Sequence, residues 1–161
     1  LFRSESKPIT IYVDADACPV KQEVYRVAKR FDLPVVVVAN TPIRVPDEDQ
    51  IEFVLVEGKF DAADDWIVER VERDDIVVTT DIPLASRSIK KGARVITPTG
   101  LEYTPNNIGS AMANRELMSR LRETGVIAGG PAPFEKSDRS RFLYVLDETI
   151  KRIMREHSQD R

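Results

Sequence analysis

One cysteine and one histidine are all the thiol and imidazole donors this 161-residue chain has. A lone Cys18 excludes an internal disulfide and fits a reducing compartment such as the cytoplasm. Zinc sites of the Cys/His type are excluded as well. A Ser-His-Asp or Cys-His catalytic set would have to recruit His157 from the last stretch of the chain. No apolar run approaches the roughly 20 residues of a membrane span. Any metal must therefore be held by oxygen, which points to Mg²⁺ or Mn²⁺. Excess positive charge is also missing. The net charge is −3, which by itself does not suggest a nucleic-acid partner.

The charge is unevenly spread. From Asp47 to Asp75 there are twelve acids and three bases; from Ser86 to Arg122 there are seven bases and two acids. Solvated helix faces would give the same contrast.

The apolar pattern alternates between strand and helix. Ile9 to Asp14 reads as a first strand, and Pro19 opens a helix whose apolar positions run to Phe31. "LPVVVVAN" is apolar on both faces, as a central parallel strand is. "IEFVLV" is a third strand and "FDAADDWIVERVERDD" a helix that Asp61 is placed to cap. "DIVVTTD" is a fourth strand, "IPLASRSIKKG" a helix, and "ARVITP" a fifth strand. "TGLEYTPNN" reads as a loop. Helices follow over residues 108–124 and from Asp138 to about Glu156, separated by the Gly/Pro segment "VIAGGPAPFEKS". The pattern predicts an α/β fold in one domain over residues 9–157: a mostly parallel five-stranded sheet with helices on both faces. Residues 1–8 are predicted to form a disordered tail outside it. The oligomeric state stays open, since the last helix is able to pack internally or across a dimer.

Ligands of open parallel sheets bind beyond the carboxyl ends of the strands. Asp14 and Asp16 follow strand one, Asp61, Asp64 and Asp65 begin the helix after strand three, and Asp81 ends strand four. Carboxylates gathered within a few ångströms repel unless a cation or a proton intervenes. Mg²⁺ or Mn²⁺ held by Asp14, Asp16, Asp61, Asp64 and Asp81 resolves that conflict and suits phosphoryl transfer. Simpler roles compete. Asp61, Asp81 and Asp16 each precede a helix and are placed to cap it, and Asp65 suits a helix N-terminus. Asp14 has no comparable alternative. Thr80 is placed to touch a metal-bound water, whereas Thr79 reads as a satisfied strand hydroxyl. Cys18 reads as a small buried residue.

Arg87, Lys90 and Lys91 lie downstream of Asp81, and Lys136 and Arg139 follow the Gly/Pro segment. They are candidate contacts for a phosphate backbone. The same residues also read as a solvated helix face and as a connector that docks the last helix through a salt bridge of Arg139.

"YVDADACPVK", "GKFDAADDWI", "VVTTDIPLA", "YTPNNI", "RELMSRLRETG" and "GGPAPFEKSDRSRF" together resemble the bacterial YaiI/YqxD family. The likeness spans the chain from Ile9 to the last helix. That family is similar to PIN-like domains, which include metal-dependent ribonucleases, so the resemblance implies a three-layer PIN-like α/β fold. It aligns Asp14 and Asp16 with the acids after the first strand, Asp61 and Asp64 with a "DxAD" pair, and Asp81 with the acid of a "T-x-D" strand end. Thr99 stands where the family commonly has arginine, and Glu135 where serine is common.

These readings predict a metal-dependent nuclease acting on RNA or another single strand, with Asp14, Asp16, Asp64 and Asp81 as the catalytic acids. One alternative is a non-catalytic nucleic-acid-binding or assembly module. Another is a phosphatase with Asp14 as nucleophile. Cys18 stands where that chemistry expects a small hydroxyl residue, and no late acidic pair follows a strand.

Overall fold

A computed structural model describes residues 7–58, 61–130 and 132–159. The first six residues of the predicted tail lie outside the described residues. Lys7 does not behave as a tail: its Nζ lies 3.0 Å from Glu72 and 3.1 Å from the buried Asp75.

The elements run β1 (Ile11–Asp14), α1 (Lys21–Phe31), β2 (Val35–Ala39), β3 (Ile51–Leu55), α2 (Ala62–Arg70), β4 (Ile76–Val78), α3 (Ile82–Lys90), β5 (Arg94–Ile96), β6 (Glu102–Tyr103), α4 (Ile108–Glu123) and α5 (Lys136–Gln159). They form one sheet in the order β3-β2-β1-β4-β5-β6. The first five strands are parallel and β6 is antiparallel to β5. The sheet thus has six strands where five were expected. The added strand lies within the presumed loop "TGLEYTPNN". It is two residues long, too short to show a period, and follows a turn in which the Gly100 amide donates to Thr97 O.

Alternation along the strands divides the core in two. Ile11, Val13, Val35, Val37, Ile76, Val78 and Ile96 face α1 and α5. Tyr12, Val36, Val38, Val77 and Val95 face α2 and α3. This is the three-layer α/β arrangement, and the valine-rich β2 is buried along its whole length as a central strand should be. Helix α5 packs inside the molecule, with Phe142, Leu146, Ile150 and Ile153 fully buried. It is longer than expected at both ends. Helix α1 starts two residues after Pro19, and α2 stops at Arg70, where Val71 turns to extended backbone.

The chain lays down β1, β2 and β3 in one direction and then returns to place β4 on the other side of β1. The crossovers after β1 and β4 therefore leave in opposite directions, which opens a crevice at their carboxyl ends.

Candidate functional site

Asp14 is the last residue of β1, on the face that carries α2 and α3. Its partner in the neighbouring strand follows from the register. Val13 pairs with Val78, so the next residues, Asp14 and Thr79, meet on the same face. The Thr79 hydroxyl donates to Asp14 Oδ2 at 2.7 Å and accepts from the Asp81 amide at 2.9 Å. Thr79 is 1% exposed. One buried hydroxyl thus links the ends of β1 and β4. Thr80, the threonine expected to serve the site, points the other way and is exposed. Strict alternation from Val13 and Val78 would have picked Thr79.

Burial raises the Asp14 carboxyl above the usual carboxylate range, and the charges of Asp81 and Asp16 raise it further, against the lowering effect of the Thr79 hydrogen bond. Asp64 is pushed up to about 7, first by burial, then by the charge of Asp81 and a hydrogen bond to it, with Asp14 and Asp61 adding repulsion. Asp14, Asp64 and Asp81 are therefore electrostatic neighbours although three different loops bring them in. Near neutral pH a proton on Asp64 relieves their repulsion.

The other acids stand around this trio. Asp81 does cap α3, accepting from Leu84 N at 2.9 Å, which leaves its second oxygen for other partners. Asp61 occupies the cap position of α2 without a side-chain cap bond. Asp16 does not cap α1. It accepts from the Asn40 amide at 2.8 Å and the Thr41 hydroxyl at 3.0 Å, tying the loop after β1 to the end of β2. Ala17 beside it has φ +63°, a conformation alanine rarely adopts. Asp65 lies outside the cluster and pairs with Arg87 at 2.8 Å. Cys18 is 6% exposed, and its burial raises the thiol.

All five candidate ligands offer hard carboxylate oxygen, so the donor chemistry fits Mg²⁺ or Mn²⁺. Among the described residues, no three acidic, His or Cys side chains are arranged around a common point as a metal-holding group. Asp14, Asp64 and Asp81, which raise one another's carboxyl values, are the residues that would hold a cation here.

The candidate phosphate contacts divide by position. Arg139 is engaged: it pairs with the buried Glu23, donates to Pro19 O at 2.9 Å and lies over Phe134. It docks the start of α5 on the loop that follows β1, with Asp138 accepting from the Glu135 amide. Lys136, in the first turn of α5, is exposed. Arg87 is half-exposed in its pair with Asp65. Helix α3 starts at Asp81 and runs back along the sheet, so Lys90 and Lys91 end about 13 Å of helix away from the acids. Lys91 donates there to Val68 O at 2.6 Å. Tyr12 is buried beside Trp66 and cannot stack on a base.

Residues 12–152 match the family model described as "Uncharacterized BCR, YaiI/YqxD family". The chain belongs to the YaiI/YqxD family. It is 54% identical over 151 residues to a UPF0178 protein of Rhodospirillum centenum, an alignment covering 91% of this chain and 98% of that protein. A UPF0178 protein of Azorhizobium caulinodans is 56% identical over 149 residues, covering 92% and 94% of the two chains. One of Rhodopseudomonas palustris is 55% identical over 152 residues, covering 94% and 93%. No solved structure matches the chain.

Proposed function

We propose that this YaiI/YqxD protein is a cytoplasmic, Mg²⁺- or Mn²⁺-dependent nuclease that hydrolyses phosphodiesters in RNA or another single strand. The observation that carries the reading is the Asp14–Asp64–Asp81 cluster at the crevice between β1 and β4, in which burial and then mutual repulsion raise Asp14 above the usual carboxylate range and Asp64 to about 7. Such a set gains free energy when a divalent cation replaces the proton. The bound cation supplies Lewis-acid activation of water and of the scissile phosphate. Asp14 and Asp81 are held by Thr79 in the geometry that presents them. Asp14, Asp64 and Asp81 would hold the cation, Asp64 giving up its proton to do so, with Asp16 and Asp61 as the further acids of the site. Lys136 and Thr80 are exposed, and Arg87 is able to swap Asp65 for a phosphate. No helix among the described residues is long and apolar enough to cross a membrane.

The test is thermal stability of wild type and Asp14→Asn in EDTA, Mg²⁺ and Mn²⁺, followed by cleavage assays on labelled single-stranded RNA and DNA. Mn²⁺ at 100 times its dissociation constant is expected to stabilise wild type by about 2.7 kcal/mol and to leave the variant unmoved. Metal-dependent cleavage that survives in the Asp14→Asn/Asp81→Asn double variant would sink the proposal.

The lack of a ready three-carboxylate group among the described residues favours a second reading, a nucleic-acid-binding module that keeps an acidic crevice. It predicts RNA binding that neither metal nor Asp14→Asn alters, without turnover.

A further inference from the structure

Helix α4 is unlike the other helices. Sixteen residues long, it buries none of them, and its main packing partner is α3. An isolated helix of that length is marginal in water, so it needs cover. Its inward side holds Ile108, half-buried against the core beneath α3. Its outward stripe runs Gly109, Ala113, Glu116 and Arg120, flanked by Met112 and Leu117, all exposed. Leu117 is 54% exposed, and Val126, just past the helix end, is 68% exposed. Among the described residues, Met112 and Leu117 on α4 and Val126 just past its end are three of the seven exposed large apolar side chains. Exposed apolar side chains on a helix that buries none of its residues are a candidate association face.

The charges along the stripe say what the face fits. Glu116 and Arg120 are one turn apart and, in the single chain, pair with each other at 2.8 Å while remaining largely exposed. Such an exposed pair is weak and readily exchanged. Two copies of α4 crossing antiparallel about the level of Met118 set Glu116 of each against Arg120 of the other, twice over by the two-fold. The same crossing brings the two Leu117 side chains together beside the axis. Gly109 and Ala113 keep the stripe low enough for the helices to approach. A nucleic-acid strand would gain nothing from Glu116 on the stripe or from Leu117 and Met112 at its flanks.

We propose that this face of α4 is a homodimer interface, occupied by α4 of a second copy of the same chain. A single helix pair lies toward the small end of specific interfaces, below ~1,200 Å² in total, the size range of transient association. The proposal does not depend on the nuclease reading, because no acid of the crevice takes part.

Sedimentation equilibrium of the full chain, from about 1 to about 300 µM, tests it. Wild type is expected to rise from the 18.2 kDa of one chain toward twice that mass. Leu117→Asp is expected to stay at the lower mass with an unchanged melting temperature, since the side chain is exposed and supports no core. Glu116→Arg and Arg120→Glu should each weaken association about tenfold. The double exchange should restore it, a recovery that misfolding cannot imitate. A single-chain mass at every concentration overturns the proposal. So does a dimer that Leu117→Asp leaves intact, or a monomer in which Leu117→Asp abolishes RNA binding instead.

Discussion

Thr79 shows how much one buried hydroxyl can govern. It donates to Asp14 and accepts from the Asp81 amide, so it fixes the spacing of two carboxylates that repel each other. Thr79→Val keeps the shape and removes both bonds. With the Asp81 amide and an Asp14 oxygen left unsatisfied, the variant should lose about 1–3 kcal/mol in denaturant unfolding. Asp14 would also lose its one lowering contact and titrate higher than in wild type, read by carboxyl carbon NMR. Thr79→Ser should restore both quantities. A merely space-filling Thr79 would predict the reverse, with valine harmless and serine costly through the missing methyl. Asp64 carries a related lesson: a helix-start aspartate is ordinary in sequence, and its burial, together with its approach to Asp81, pushes its carboxyl up to about 7.

At the scale of elements, the helix–strand alternation was readable because each long segment keeps one period. The stripe Phe142, Leu146, Ile150 and Ile153 is an example, and Val35 to Ala39 was readable differently, as a short β-branched run apolar on both faces. What stayed hidden was what depends on partners. β6 is two residues long and exists only through its pairing with β5. Asp16 precedes a helix start yet bonds to Asn40 and Thr41, a choice made by the neighbouring β2. Thr79 was passed over for Thr80 although alternation from Val13 and Val78 distinguishes them. Gly100 is a further partner-dependent position, where the turn between β5 and β6 meets the start of α5. Its φ is +86°, and an added Cβ would lie 2.7 Å from Arg141 Cγ, 2.9 Å from Arg141 C and 3.0 Å from Phe142 N. The last two are backbone atoms that cannot rotate away. Gly100→Ala should therefore cost roughly 2–4 kcal/mol, combining left-handed strain with displacement of α5. Amide exchange should show the first turns of α5 losing protection while β2 keeps its own. Equal loss in both elements would mean that the turn docks nothing in particular.

For the whole molecule, two groups of acids pull stability in opposite directions as pH changes. Asp14 and Asp64 have folded values raised above the ordinary 3.8, mainly by burial. Through Asp64 the folded state then holds more protons than the unfolded chain between about pH 4 and 7, and Asp14 adds in the same direction, so the stability they contribute is full at low pH and is lost as pH rises, for Asp64 through about 7. Asp74 is lowered: its carboxylate is hydrogen-bonded by His157 and flanked by Arg94, which outweighs its partial burial. Asp147 is lowered by Lys151 and Arg30. These two stabilise above 3.8, and their contribution is lost as pH falls through their folded values. Opposed slopes of this kind place the maximum of the melting temperature in the mildly acidic range in EDTA, with a decline toward pH 8. Asp64→Asn removes the steepest part of that decline, so the profile should flatten between pH 5 and 8 and the variant should exceed wild type at pH 8. In Mn²⁺ the wild-type profile should recover on the same alkaline side, because the cation takes the place of the departing proton. A decline identical in wild type and Asp64→Asn would locate the repulsion elsewhere and remove the physical basis for a cation in the β1–β4 crevice.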